Sequence, residues 1–584
     1  MLTKVLVANR GEIAVRVIRA CRELGIRTVA VYSDADRDAR HVRDADEAYA
    51  LPGTSPADTY LNGAAILDVA ERSGADAIHP GYGFLSENAE FAELVAATGV
   101  TFVGPSPAAI ATMGNKASAR IAAARAGVPG VPGIDSAESV DDVVAAGDRF
   151  GWPVAIKAAF GGGGRGMKVV ATADQAADAF EAARREALSY FGRGDVYVEK
   201  YLEWPRHVEV QVLADTGGRM VSLGERDCSC QRRHQKLIEE SPAPGIADDV
   251  RQAMATAAIA IATSCDYVGA GTVEFLYEDG AFWFLEMNTR IQVEHPVTEL
   301  VTGIDLVQWQ LRIAAGEPLT FRQDDVVPRG HAIEVRLNAE DPANGFAPSP
   351  GPIRRFRRPA GPGIRLDEGY DEGDCVSQYY DNLVAKLIAW DESREGARRR
   401  MLRALAELEI DGVATTAPAH VVMLAAEQFA NASHSTKWVD EQLDLSALAA
   451  AAAPGGDVRT GQGHRLVAEI DGRRFEVTVW GDALRLVAEP AAATRVPSQP
   501  VVEPGAPMLL TRMPGAVVAP LQGVVVKVLV AEGQPVAAGD AVCLLESMKM
   551  ENAVTSDWGG VVREVRVGDG DMVAPGDVLV VIES

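Results

Sequence analysis

Cysteine is scarce in this chain. Six cysteines in 584 residues are too few and too scattered for a disulfide framework, and their scarcity points to a reducing, cytoplasmic setting. The closest pair, Cys228-Ser229-Cys230, has the spacing of neither a redox pair nor a zinc knuckle and reads as structural. Basic residues are outnumbered 56 to 82, for a net charge of −26. Such a surface repels phosphate backbones, which excludes nucleic acid as the main partner but allows a local basic pocket for a small phosphate ligand. Long apolar runs are also missing. The N-terminal run is too short for a signal peptide. The most apolar stretch, 253–265, falls short of the roughly 20 residues of a membrane span and reads as a buried helix, so no membrane association is expected.

What is present is enough apolar residue, 47%, for large cores, and a length suited to about four folding units. Over the first 110 residues strand and helix patterns alternate: strand at 4–8, helix at 12–24, strand at 28–32, and on through 64–72, 77–79, 91–97 and 101–103. This is the rhythm of an open parallel sheet with helices on both faces. A dinucleotide fold is excluded, because the first loop, Asn9-Arg10-Gly11-Glu12, has one glycine where a pyrophosphate turn needs three. Residues 131–203 form a second small α/β unit, and 204–446 mix strands with helices, ending in a helical stretch at 394–408.

The composition then changes. Residues 446–456 are alanine-rich and 489–513 carry five prolines, both signs of linker. Between them, 465–470 and 474–479 flank Asp471-Gly472, a hairpin signal. The last segment holds a repeat: shifting 521–547 by 37 positions onto 558–584 gives 12 identities in 27. Neither half can close a core alone, so the two should pair into a quasi-twofold β-sandwich. The halves meet at Met548-Lys549-Met550, which places Lys549 at or near an exposed tight turn.

Three clusters carry chemistry. In Phe160-Gly161-Gly162-Gly163-Gly164-Arg165-Gly166, consecutive glycines let backbone N–H groups turn toward phosphate oxygens, with Lys157 on the preceding apolar strand. The spacing is not that of a Walker A loop. In the pair 272–277 and 282–290, strand periodicity puts Glu286, Asn288 and Arg290 on one face and Trp283, Leu285 and Met287 on the other. A two-residue Asp279-Gly280 loop would oppose Glu274 to Leu285; a three-residue loop would set it opposite Glu286. Two facing carboxylates are unfavourable unless a divalent cation lies between them, and Mg²⁺ takes such ligands together with phosphate oxygens. The third cluster, Gln231-Arg232-Arg233-His234-Gln235-Lys236, reads either as a solvated surface strand or as an anion site.

With these residues in view, 1–446 resemble the biotin carboxylase component of the biotin-dependent carboxylases, an ATP-grasp enzyme. The resemblance rests on Ala8-Asn9-Arg10-Gly11-Glu12, His79-Pro80-Gly81-Tyr82-Gly83-Phe84, the glycine loop, the run from Arg226 to Lys236 and, most strongly, Glu286-Met287-Asn288-Thr289-Arg290-Ile291-Gln292-Val293-Glu294-His295-Pro296. Residues 511–584 resemble a biotinyl carrier domain with Glu546-Ser547-Met548-Lys549-Met550-Glu551 as its attachment turn. Methionines on both sides of Lys549 favour biotin over lipoate. The whole is similar to the fused α subunit of actinobacterial-type acyl-CoA carboxylases.

The resemblance implies this fold: an N-terminal α/β subdomain (1–113), a connector (114–130), an ATP-grasp lid (131–203), the ATP-grasp body and C-terminal subdomain (204–446), a linker with a short hairpin (447–510), and a small all-β carrier sandwich (511–584). It implies ATP near Lys116, Lys157, Gly163, Gly164, Met167, Glu199, Lys200, Leu202, His207, Gln231, His234, Lys236, Leu276 and Glu286. Mg²⁺ or Mn²⁺ would lie on Glu274, Glu286 and Asn288. Bicarbonate would be held by Lys236, Arg290, Gln292, the Val293 backbone and Glu294, with Glu294 as base. Biotin would meet Tyr82, Gly83 and Arg336 and be carried covalently on Lys549. Bicarbonate would attack the γ-phosphoryl group to give carboxyphosphate, whose breakdown carboxylates biotin while Arg336 stabilises the ureido oxygen. Implied partners are a carboxyltransferase β subunit, which fixes the acyl-CoA (acetyl- or propionyl-CoA), and a biotin protein ligase, within a homo- and hetero-oligomer.

Phe160 departs from the family, many of whose members carry a further glycine there. The hairpin is expected to be a remnant of the β-domain that docks the carboxyltransferase. As a coil, segment 489–513 averages about 25–30 Å end to end, and tethering on that scale gives effective concentrations near the millimolar range. Two rivals remain: a carrier scaffold with a degenerate ATP site, which would lose residues among Glu274, Glu286, Asn288, Arg290, Glu294 and Arg336, all of which are present; and another ATP-grasp ligase, which would need no modified lysine.

Overall fold

The computed structural model of the chain describes residues 2–158, 167–191, 194–448, 463–470, 473–480, 515–519, 523–547, 550–573 and 576–583. It divides into two compact units, Met1–Leu445 and Ser446–Ser584. No helix among the described residues is long and apolar enough to cross a membrane.

The first unit opens with a parallel sheet of β1 (Lys4–Val7), β2 (Arg27–Tyr32), β3 (Glu47–Ala50), β4 (Ala77–His79) and β5 (Thr101–Phe102), in the order β3-β2-β1-β4-β5. Strand alternation sends Val5 and Val7 into a core with Ile13 and Val17 of the helix Gly11–Glu23. Leu6 enters a second core with Ile66 and Phe91 of the helices Gly63–Ser73 and Ala89–Ala97. Helices thus cover both faces, as the periodicity predicts. β3 escapes the periodic reading because its pattern is half-exposed throughout.

A second sheet, β6 (Gly133–Ala137), β7 (Val154–Ala158), β8 (Lys168–Val170) and β9 (Val196–Lys200), runs in the order β6-β9-β7-β8. It packs on the helices Val140–Phe150 and Ala176–Phe191. Residues 159–166, and with them Gly163 and Gly164, lie outside the described residues.

The largest sheet has eight strands: β10 (Arg206–Ala214), β11 (Met220–Arg232), β12 (Gln235–Ser241), β13 (Gly269–Glu278), β14 (Ala281–Asn288), β15 (His331–Asn338) and the strands Leu383–Asp391 and Ile364–Glu368. The apolar stretch 253–265 belongs to the helix Asp248–Thr263, buried through Met254, Ala257, Ala258 and Ile261. Glu240 on β12 holds the sheet to the helix Arg394–Glu407. It faces His331 Nε2 at 2.7 Å and accepts from Arg394 at 2.6 and 2.9 Å. Against the opposing effect of burial, His331 and Arg394 bring its pKa down to about 2. A carboxylate depressed in the fold contributes stability above its unfolded pKa of ~4.3, and that contribution is lost as pH falls through the folded value. Arg394→Met, which strands this buried charge, is expected to cost about 3–5 kcal/mol in urea unfolding at pH 7, with a smaller difference from wild type at pH 3.

In the second unit, strands Gly463–Ile470 and Arg473–Trp480 pair in register around positions 471 and 472. The C-terminal strands form two four-stranded sheets. The repeat maps the strand Gly523–Val528 onto Gly560–Val565 and Ala541–Ser547 onto the region of Val578–Glu583. Each sheet takes strands from both halves: Gly523–Val528 pairs with Met572–Val573, and Gly560–Val565 with Pro535–Val536. Val525 and Val562, Val542 and Leu579, and Leu545 and Ile582 are repeat mates sharing one core. Positions 548 and 549 lie outside the described residues; the strands flanking them pair up to Ser547 opposite Met550.

Candidate active site

The facing carboxylates form, by a route that periodicity alone misses. The hairpin between β13 and β14 closes through the two residues Asp279 (φ +50°) and Gly280 (φ +82°), with Glu278 opposite Ala281. That loop would oppose Glu274 to Leu285. Instead the register shifts after Phe275, and Glu274 stands opposite Glu286. Leu285 is the extra residue of a β-bulge and is 41% exposed. The expectation that Trp283, Leu285 and Met287 share a face is corrected accordingly. The bulge shifts the alternation by one, so Phe284 and Met287 enter the core beside Val273 and Phe275. Glu274 and Glu286 share the opposite face.

That face continues onto β10, where Glu209 stands opposite Glu274. Lys236 of β12 donates to Glu209 (2.6 Å), Glu274 (3.0 Å) and Glu294 (2.7 Å). Burial disfavours its charge, but Cys228 and these carboxylates raise its pKa well above the lysine range. Burial likewise works against Glu274, yet Lys236 and His207, whose Nε2 lies 2.8 Å from Glu274 Oε2, hold its pKa well below the usual carboxylate value. Glu286 is shifted the other way, raised by burial and by the Glu274 charge. Among the described residues the Glu286 carboxylate has no hydrogen-bond or ion-pair partner. Two oxygen ligands on one face, one of them destabilised by the other, suit a hard divalent cation. His207, Glu209 and Glu274 bring ligand atoms within 4.8 Å of one another.

Glu294 stands at the N-terminal end of the helix His295–Thr302, its carboxylate between two cations, Lys236 on one oxygen and Arg336 at 3.0 Å on the other. Against burial, Lys236, Arg336 and Arg226 keep its pKa far below the ordinary value. Arg336 also donates to Glu239 at 2.6 Å. Burial and the Glu294 charge push the Glu239 carboxyl up to about 7, with Arg336 opposing. Arg290 donates to Glu87 (2.9 Å) and to Asn288 (2.9 Å). Asn288 and Gln292 both donate to Glu274 Oε1, at 2.8 and 2.7 Å.

The turn 81–83 is built by Asn9, whose amide donates to the carbonyls of Pro80 (2.7 Å) and Tyr82 (2.8 Å). Gly81 and Gly83 adopt φ +64° and +70°, a region that glycine enters freely. The Tyr82 hydroxyl donates to Glu12. On the four-stranded sheet, Lys157 pairs with Glu199 and Lys200 donates to the carbonyls of Gly151 (3.1 Å) and Trp152 (3.0 Å); Met167, just before β8, is half-buried. Leu202 is buried and Leu276 half-buried. Lys116 opens the helix Lys116–Arg125 on the exposed side, and its charge favours ionisation of Glu286. The cluster 231–236 is not a wholly solvated strand. Arg233 (φ +48°) and His234 (φ +65°) form the exposed tip of a tight turn, while Gln231 and Lys236 pair below it, Gln231 buried and Lys236 among the acids.

Arg226 was not assigned a role by the sequence. Fully buried, it donates to Glu209 (2.5 Å), Gln211 (2.7 Å), Thr298 (2.9 Å), Thr272 (3.1 Å) and Gln292 (2.7 Å), holding three strands, the 290–294 loop and the following helix in one geometry. Its run with Asp227 was part of the resemblance. Glu209 was legible as well, two residues after His207 on one strand face.

Residues 1–110 match the family described as biotin carboxylase, N-terminal domain, and 334–441 its C-terminal domain. Residues 115–322 match the ATP-binding domain of the carbamoyl-phosphate synthase L chain, and 512–582 a family described as biotin-requiring enzyme. The biotin-dependent acyl-coenzyme A carboxylase alpha3 subunit of Mycobacterium leprae is 48% identical over 94% of each chain. The chain belongs to the biotin-dependent carboxylases. It joins a biotin carboxylase to a biotin carrier domain and is a ligase that carboxylates biotin at the expense of ATP. The biotin carboxylase of Haemophilus influenzae is 52% identical over 76% of this enzyme and its own full length. The biotin carboxylase domain of Hydrogenobacter thermophilus 2-oxoglutarate carboxylase, solved with MgADP, ADP and bicarbonate, superposes with a TM-score of 0.69 at 48% identity, covering 76% of this enzyme and 98% of that chain. The same domain bound to bicarbonate gives a TM-score of 0.73 at 47% identity, with the same coverage.

Proposed function

We propose that this ligase carboxylates the biotin borne on its own Lys549, once a biotin protein ligase has attached it, and hands the carboxyl group to a separate carboxyltransferase subunit that acts on an acyl-CoA such as acetyl- or propionyl-CoA. The observation that carries the reading is the Glu294 carboxylate held ionised between Lys236 and Arg336, beside the Glu274–Glu286 pair. Bicarbonate and the phosphoryl group it attacks are both anionic, so the chemistry depends on aligned cations and donors. Glu294 takes the bicarbonate proton, and Lys236, Arg290, Gln292 and the Val293 backbone orient the anion. The guanidinium of Arg290 suits two-point capture of a carboxylate-like group, which requires that it leave Glu87. Arg336 stabilises charge on the ureido oxygen, with Tyr82 and Gly83 against the biotin.

Lys116, Lys157, His207 and Lys236 lie toward the phosphates of ATP and Glu199, Lys200, Leu202 and Leu276 toward the adenine, with Gln231 and His234 beside them and Gly163, Gly164 and Met167 in the closing segment. Glu274, Glu286 and Asn288 would hold Mg²⁺ or Mn²⁺, which would supply positive charge to offset that of the phosphates. The 94% coverage of an acyl-CoA carboxylase α subunit supports both a carrier in cis and an acyl-CoA destination. Domain limits at 113, 130, 203, 446 and 510, and a linker role for 447–510, belong to the same reading. Bicarbonate-dependent ATP hydrolysis stimulated by free biotin tests the first half-reaction. Acyl-CoA carboxylation by the co-purified hetero-oligomer tests the second, and a complex that carboxylates no acyl-CoA rejects the destination.

The metal assignment has a readout of its own. With ADP present, Mg²⁺ is expected to raise the thermal midpoint of the wild type by mass action. Glu286→Gln is expected to lose that rise while melting no lower than wild type in EDTA, since the substitution removes repulsion with Glu274. An undiminished Mg²⁺ shift in the variant argues against Glu286 as a ligand.

A further inference from the structure

Lys386 lies in none of the motifs that mark the site. It sits on the strand Leu383–Asp391, paired with Arg336 of β15 on one side and Asp367 on the other. Its side chain is fully buried. The ammonium donates to the carbonyl of Val293 at 2.7 Å and lies 3.2 Å from Glu12 Oε2. Glu12, in the first turn of the helix Gly11–Glu23, accepts through its other oxygen from the Tyr82 hydroxyl. Two hydrogen bonds and one ion pair thus link the turn at 82, the first helix, the far strand of the large sheet and the 290–294 loop.

A buried ammonium is costly unless its acceptors are well placed. Here one acceptor is the carbonyl of the residue whose backbone is assigned to bicarbonate. The peptide is planar, so fixing the Val293 carbonyl also fixes the direction of the Glu294 N–H and the point at which the loop enters the helix. Lysine suits the task, as a compact charge with three rotatable donors that can serve two acceptors on different elements. Of the other carboxyls that face it, Asp367 is paired with Arg365 at 2.7 Å. Glu334 is pushed well above the usual carboxylate range by burial, with Lys386 opposing.

We propose that Lys386 is a positioning residue for bicarbonate capture: it locks the Val293 peptide and, through Glu12 and Tyr82, ties that peptide to the biotin-side turn. This rests on the assignment of 290–294 as the bicarbonate loop.

The test uses the full-length chain, with KM values for bicarbonate and for ATP measured in biotin-stimulated ATP hydrolysis, alongside thermal unfolding. Lys386→Met alone is expected to lower the thermal midpoint, because Glu12 keeps a buried charge. The double variant Glu12→Gln/Lys386→Met leaves no unpaired charge and is expected to recover much of that midpoint. Its Val293 carbonyl still lacks a donor, so its KM for bicarbonate is expected to stay raised roughly tenfold or more, with KM for ATP within about twofold of wild type. Recovery of both the midpoint and the wild-type bicarbonate KM in the double variant would overturn the proposal, leaving Lys386 as a charge partner only. Arg290→Ala separates the two layers. An unchanged bicarbonate KM there removes the assignment of the loop itself. A raised value there, beside an unchanged one in the double variant, rejects Lys386 alone.

Discussion

Lys549→Ala is expected to abolish carboxylation of acyl-CoA by the assembled enzyme while ATP hydrolysis stimulated by free biotin stays near the wild-type rate. The reason is a division of labour. The large sheet carries the Lys236–Glu294–Arg336 constellation within the first unit, and residue 549 belongs to the second. The hydrogen-bond partners of these three side chains come from the first unit, so free biotin is expected to enter in place of the tethered one at a penalty in effective concentration. On the proposed reading, only a tethered biotin would shuttle to a second catalytic site. Following both reactions on one preparation decides the matter: loss of both activities contradicts the division, and retained acyl-CoA carboxylation places the biotin elsewhere.

The second large effect is at Glu294. Glu294→Gln keeps the shape of the side chain and removes the group proposed as base, and positioned general bases contribute about 10²–10⁴-fold. A fall in kcat of that size is expected with little change in KM for ATP, because the proton is taken only as bicarbonate reacts. The pH behaviour follows from the same contacts. Lys236 and Arg336 hold the carboxylate far below the usual value, so Glu294 is ionised throughout the neutral range. Its folded pKa is depressed, so its share of stability is present above the unfolded value of ~4.3 and is lost only as pH falls through the folded value. An acidic limb in the wild-type rate near pH 6 therefore belongs to another group, and the residual rate of Glu294→Gln should keep that limb. A variant with less than a tenfold loss of kcat would show that the proton goes elsewhere.

The site was legible wherever its chemistry is written in contiguous residues. Glu286-Met287-Asn288-Thr289-Arg290 carries the proposed ligand and anion clamp, and Met548-Lys549-Met550 the proposed attachment point. The expectation that Glu274 faces Glu286 holds, but through a bulge at Leu285 rather than a longer turn. A bulge is invisible to a period-two reading because it is decided by how two strands pair, not by either strand's own pattern. Arg226 and Lys386 stayed unassigned for a related reason. A lone basic residue in a strand reads as surface until the structure shows it buried among acceptors drawn from distant segments.

The sequence by itself determined the alternating architecture of the first 110 residues and the paired halves of the carrier domain, and it supplied the motifs on which the proposed site rests, because periodicity, repetition and contiguous motifs are local properties of a chain. Tertiary structure alone decided which carboxylates face each other, which cations keep Glu294 charged and which lysine holds the Val293 peptide. Those depend on strand register and on removal from water, and both are set only when separate segments of the chain pack together.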